Sequence, residues 1–120
     1  MDPAKLKAIL EAAPKDKEDY FYYNSSAIVA KIKKARGGSE LIPVLLRFME
    51  ENSSLDFGSP GAFVHFIETF GVASYREELI QSVRRRPMLQ NLWMINRILN
   101  ATDSQADREQ LLDVLREISQ

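Results

Sequence analysis

The sequence predicts an all-α protein of stacked antiparallel helical hairpins, about six or seven helices in all. Three observations predict it. Apolar residues recur at three- and four-residue spacing along most of the 120 residues; Pro, Gly, Asn and Ser fall where such runs begin and end; and part of the chain repeats itself. No segment sustains period-two alternation of β-branched residues, so strands are not expected.

Asp2-Pro3 reads as an N-cap with proline at the first helical position, followed by Leu6, Ile9, Leu10 and Ala13 on one face until Pro14. Residues 15–26 carry a charged stretch, Lys15–Asp19, then the aromatic run Tyr20-Phe21-Tyr22-Tyr23, with Asn24, Ser25 and Ser26 as candidate caps for the next helix. That helix is expected from Ala27 through Ala35, closed by Gly37-Gly38 in a left-handed cap. Ser39 then caps a helix bearing Leu41, Ile42, Leu45, Phe48 and Met49, which ends at Asn52-Ser53-Ser54. Ser59-Pro60 opens the next one, with Phe63, Phe66, Ile67 and Phe70 inward and Gly71 as its close. Ser74 and Glu77 have the spacing of a capping box before Leu79, Ile80 and Val83. Arg86-Pro87 breaks that run. Leu89, Leu92, Trp93, Ile95 and Leu99 make another, with Trp93 read as core, and a last helix starts near Asp103 or Ser104 with Leu111, Leu112, Leu115 and Ile118 inward.

The repeat is what turns helices into hairpins. Arg76-Glu77-Glu78-Leu79-Ile80 matches Arg108-Glu109-Gln110-Leu111-Leu112 at an offset of 32, while Phe66, Phe70 and Gly71 match Ile95, Leu99 and Asn100 at an offset of 29. Glu40-Leu41-Ile42 aligns more loosely with Glu78-Leu79-Ile80. Hairpins of this length cannot bury their own apolar faces and stack on their neighbours. The chain is accordingly read as one domain, residues 1–120: an N-terminal helix and aromatic segment over 1–26, then three hairpins over 27–120.

Composition removes several function classes. Cysteine is absent, which excludes disulfides, thiolate zinc sites and a thiol nucleophile. Sixteen basic against seventeen acidic residues leave a net charge of −1, which argues against a general nucleic-acid binder. All the lysines lie between Lys5 and Lys34, whereas seven of the nine arginines lie at Arg76 or beyond. No basic-then-apolar leader opens the chain and no apolar run approaches bilayer length, so a cytoplasmic protein without a membrane segment is expected.

No constellation of catalytic type stands out, and no enzyme activity, metal or other cofactor is expected. His65 is the single histidine and has neither a second imidazole nor a signature around it, so it reads as a half-buried helix residue. Arg84-Arg85-Arg86 closes a helix, and successive helical residues point about 100° apart, so the three do not form one phosphate clamp. Gly37-Gly38 and Gly58-Ser59-Pro60-Gly61 match no nucleotide-binding spacing. The candidate site is instead the acidic and aromatic stretch Asp16, Glu18, Asp19, Tyr20, Tyr22 and Tyr23. Four consecutive aromatics cannot all face one core; those left outside either cover an open end of the stack or anchor a partner, and the adjacent carboxylates suit a basic one.

Between Gly61 and Leu99 the chain resembles small all-helical, HEAT-like bacterial immunity proteins encoded beside polymorphic or contact-dependent growth-inhibition toxins. The resemblance rests on Pro60-Gly61, Val64-His65-Phe66-Ile67-Glu68, the break Arg84-Arg85-Arg86-Pro87, and Leu92-Trp93-Met94-Ile95-Asn96-Arg97-Ile98-Leu99-Asn100, about a third of the chain. It implies a short HEAT-like solenoid and one-to-one blocking of a toxin domain, and it carries over no partner-binding residue; the acidic and aromatic stretch suits a basic partner such as a nuclease. Two alternatives stand beside it: a HEAT-like scaffold or adaptor for another protein, and a small helical nucleic-acid binder using Arg76, Arg84, Arg85, Arg86 and Arg97.

Overall fold

The computed structural model describes residues 1–15 and 20–120, the side chains of Tyr20 and Tyr22 excepted. Among these residues there are seven α-helices and no strand: α1 (Pro3–Ala12), α2 (Tyr20–Lys34), α3 (Ile42–Glu51), α4 (Ala62–Glu68), α5 (Val72–Arg85), α6 (Leu89–Ala101) and α7 (Gln105–Ile118), with a 3-10 turn (Ser39–Leu41) leading into α3. The helices pack on their next-but-one neighbours. In one layer α1 meets α3, α3 meets α5 and α5 meets α7; in the other α2 lies on α4, and α6 sits against α5 and α7. This is the stacking that the repeat demands, since α5 and α7, the matched helices, lie side by side.

Three starts are as the sequence predicts, α6 opening at Leu89 behind the Arg86-Pro87 break. Asp2 accepts from the Lys5 amide at 2.8 Å at the head of α1, and Ser104 Oγ accepts from the Asp107 amide at 3.2 Å at the head of α7. The others correct the sequence reading. Helix α2 begins at Tyr20 rather than Ala27, so Asn24, Ser25 and Ser26 lie inside it, and Ser25 is buried. Its end is a Schellman turn in which Gly37 N–H donates to Ile32 O and Arg36 N–H to Lys33 O, so the left-handed residue is Arg36 (φ 57°), not a glycine. Gly38, not Ser39, precedes the 3-10 turn, and the Glu40 carboxylate accepts from its amide. Gly61, not Ser59, is the N-cap of α4 (φ 96°), and a Cβ there would stand 1.6 Å from the Phe57 carbonyl oxygen. Gly71 (φ 84°) caps α5, which starts at Val72; Ser74 and Glu77 are therefore inside the helix and form no capping box. Asn100, paired with Gly71 by the repeat, is ordinary helix within α6, whose cap is the extended Thr102. Serine placed near a helix start competes locally, but a glycine that frees the backbone decides where the turn is made.

The core is one contiguous cluster, centred on phenylalanine. Phe21 of α2, Phe48 of α3, Phe57 from the α3–α4 connection and Phe63 of α4 have all six of their ring pairs between 5.3 and 6.4 Å, mostly edge-to-face. The two remaining phenylalanines, Phe66 and Phe70, pair edge-to-face at 5.1 Å. Leu79, Ile80 and Val83 extend the core through α5, and Met94 and Ile95 through α6. In α7 Leu111 and Val114 are fully inside, while Leu112, Leu115 and Ile118 pack at the edge. Trp93, expected in the core, is half-buried.

Polar ties fix the stack. Glu50, 5% exposed, takes both Nε and Nη2 of Arg85 at 2.8 Å, joining α3 to α5. Asn91, fully buried, accepts from the Met88 amide and donates to Ser82 Oγ and the Arg86 carbonyl, which closes the turn between α5 and α6. Replacing Arg85 with Met strands the Glu50 carboxylate in the interior and lowers unfolding free energy by about 3 kcal/mol. Chemical denaturation should find most of that recovered when Glu50→Leu is added; equal losses in the single and double variants would mean that the pair does not hold α3 to α5.

Candidate functional site

The aromatic run divides as helical geometry requires. Phe21 is fully buried and at the centre of the ring cluster, whereas Tyr23, two residues on, is 71% exposed. Tyr20 and Tyr22 belong to the first turn of α2, with side chains outside the described set; Asp16, Glu18 and Asp19 lie outside the described residues altogether. Of the six residues named as the candidate site, Tyr23 is thus the one whose side chain is placed, and it is at the surface. Two described residues, one on either side of the stretch 16–19, are themselves tied to the end of α1. Lys15 Nζ donates to the carbonyls of Leu10, Glu11 and Ala13, neutralising the C-terminal end of α1, and stands 5.6 Å from the Phe48 ring centroid. Asn24 Nδ2 donates to the Pro14 carbonyl from inside α2.

The segregation of lysine from arginine acquires a physical reason. Most of the late arginines tie elements together: Arg76 to Asp107 and Arg84 to Glu117 join α5 to α7, Arg85 joins Glu50, Arg97 joins Glu68 across α6 and α4, and Arg108 donates to the Leu99 carbonyl. Two of these contacts, Arg84 to Glu117 and Arg85 to Glu50, are two-pronged, for which a planar five-donor fork is suited and lysine is not. Hydrogen bonds donated to Glu117, Glu50 and Glu68 come first, and the charge of those carboxylates adds to them, in holding the guanidinium pKa values of Arg84, Arg85 and Arg97 above the ordinary value against an opposing effect of desolvation. Arg86 completes the triplet by donating to Ser53 Oγ, so its three members reach three different partners. The five arginines named for a nucleic-acid interface each hold a protein group. By contrast Lys5, Lys7, Lys31, Lys33 and Lys34 are exposed and form no ion pair with a described carboxylate.

Two clefts are lined by polar and apolar groups together. One, of about 330 Å³, runs between α1 and α3 over Leu10, Val44 and Phe48, with Lys7, Glu11, Arg47 and Glu51 at its rim. The other, of about 640 Å³, opens where the α4–α5 corner faces the end of α6 and the start of α7; Glu68, Tyr75, Arg97, Thr102 and Asp107 line it, with Val72, Ile98 and Ala101. Tyr75 is 3% exposed, and its hydroxyl pKa is raised first by burial and then by the charge of Glu68, against a lesser opposing effect of Arg97. Nothing in the sequence reading picked out Tyr75; a tyrosine at a helical core spacing looks like packing until its hydroxyl is placed. His65, expected half-buried, is exposed, its Nδ1 3.9 Å from Glu68 Oε1. Among the described residues no group of three or more His, Cys, Asp or Glu is placed to hold a metal ion, and no helix is long and apolar enough to cross a membrane.

No protein-family model, no curated protein and no solved structure matches the chain.

The position of Tyr75 has a consequence for alkaline stability. Its folded pKa lies above its unfolded value, so its contribution is intact below about pH 10 and falls away as the pH rises through the folded pKa, because the unfolded chain ionises first. Tyr75→Phe should flatten the alkaline limb of the melting temperature against pH. An unchanged limb would show that the hydroxyl is not protected.

Proposed function

We propose that this chain is a protein-binding module of the immunity type, which neutralises a toxin domain by covering it. One observation carries the reading: Tyr23 stands 71% exposed at the start of a helix whose next-but-one residue, Phe21, is locked at 0% in the core. An amphipathic ring on a rigid support loses little freedom on binding, which is why tyrosine is enriched at interface hot spots. The neighbouring carboxylates Asp16, Glu18 and Asp19 in the sequence bias the partner toward a basic surface, as a nuclease presents. The resemblance over Gly61–Leu99 supplies the biological context. Blocking would act through shape and charge across an interface of about 1,600 Å².

The adaptor reading shares the mechanism and differs in partner. It draws support from the α1–α3 cleft, whose apolar floor lies on a different face of α3 from the Arg85 tie. Co-expression separates the two: an immunity protein rescues cells poisoned by its toxin domain and co-purifies with it, whereas an adaptor does neither. Changing Tyr20, Tyr22 and Tyr23 together to alanine should weaken toxin binding more than roughly tenfold while the helical circular-dichroism signal persists. Undiminished affinity in that variant would make the rings structural.

A further inference from the structure

We infer that the cleft between the α4–α5 corner and the α6–α7 corner is a receptor for a basic side chain, a guanidinium or ammonium on an aliphatic stem. The inference rests on the reading that the chain binds a protein, and it names what that partner inserts. The first ground is Tyr75. It is 3% exposed and lines the cleft; no hydrogen bond joins its hydroxyl to a described residue, and since no fully buried side-chain oxygen among the described residues lacks a partner, the hydroxyl opens into the cleft. A phenol this far inside the protein ordinarily has a partner, and here the position for one is the cleft itself.

The second ground is the chemistry around that hydroxyl. Glu68 engages Arg97 through Oε2 at 2.7 Å, while its Oε1 accepts no hydrogen bond from a described residue, His65 Nδ1 standing 3.9 Å away and beyond hydrogen-bond reach. Asp107 engages Arg76 through Oδ1, and no described group donates to its Oδ2. One oxygen of each carboxylate is therefore left to accept, beside a hydroxyl that also accepts. The last turn of α6 forms the adjoining wall, with the negative end of its dipole toward the cleft. Val72, Ile98 and Ala101 offer apolar contact to a methylene stem.

Arg97 and the start of α5, which has no side-chain cap, would pull the other way, toward an anion. Two facts decide between the signs. Arg97 is already committed to Glu68, and at the Tyr75 hydroxyl the influence of Glu68 exceeds that of Arg97. The cations at the cleft are thus already paired, and the groups left to be satisfied at its floor are acceptors. Its volume of about 640 Å³ is ample for one long side chain.

The test is a titration of the whole chain with Nα-acetyl-arginine amide, followed by amide chemical shifts, with Nα-acetyl-citrulline amide as the uncharged isostere and acetate as the anion. The arginine derivative should move the amides of Val72, Tyr75 and Thr102 with millimolar affinity, and citrulline should bind at least roughly threefold more weakly. Tyr75→Phe keeps the ring and should weaken the arginine derivative by a similar factor. Glu68→Gln provides the same check should the first variant lose its fold. The inference is overturned by equal shifts from citrulline, by shifts from acetate alone, or by an affinity indifferent to both variants. Because the titration contains no partner, its failure removes the cleft and leaves the toxin-blocking reading standing. Failure to rescue cells does the reverse.

Discussion

Phe21, Phe48, Phe57 and Phe63 come from four separate segments and meet so closely that each ring touches the other three, the longest centroid separation being 6.4 Å. Each such pair adds about 0.5–1.5 kcal/mol beyond the apolar area it buries. The cluster constrains more than energy. Phe57 can enter it only if the α3–α4 connection doubles back, which brings its carbonyl against Gly61 and requires a residue without Cβ there. Gln90, at the start of α6, then donates to the Gly58 carbonyl and ties the same connection to the second half of the stack. Phe21 draws the first turn of α2 inward, and Tyr23 is turned outward as a result of helical geometry alone. The exposed surface proposed for binding is thus set by a core contact.

The second half of the molecule is held by a different means. There, guanidinium forks bridge from α5 to α3 and α7, and from α6 to α4. Most of these pairs are half-exposed and contribute modestly to stability; Arg85 with Glu50 is the buried exception. Their effect is on register, because a fork that reaches one carboxylate across a layer fixes how far one helix slides along the next. Arg76 and Arg84, two turns apart on α5, both reach α7, at opposite ends of it. The repeat in sequence pairs Arg76 with Arg108, and the same offset of 32 pairs Arg84 with Arg116, yet the later two do other work: Arg108 donates to a main-chain carbonyl and Arg116 pairs within its own helix with Asp113. A repeat in sequence preserved the packing and let the polar ties diverge.

Helix content and the faces of α3 and α5 were legible because periodic burial leaves a strong pattern; on α6 the reading caught Ile95 and Leu99 but placed Leu89, which is exposed, and Trp93, which is half-buried, on the inner face. Helix starts were less so. Ser59, Ser74 and the Asn24–Ser26 run have capping chemistry, but capping is a local preference of about 1 kcal/mol and yields to the placement of a phenylalanine in the core or a glycine at a turn. The candidate site was legible in part: that the aromatic run must split follows from spacing, whereas which ring goes inward depends on three phenylalanines far along the chain. The role of the late arginines and the isolation of the Tyr75 hydroxyl were not legible, since both depend on which residues face each other across layers.

The account hangs on the division of labour between Phe21 and Tyr23, and the unfolding free energies of Phe21→Ala and Tyr23→Ala measure it directly. Truncating a ring at the centre of the cluster should cost about 3–5 kcal/mol, and truncating the exposed ring should stay within about 0.5 kcal/mol of the parent. Comparable losses from the two substitutions would contradict the account, because the run would then be structural throughout and the surface built on it would not be available to a partner.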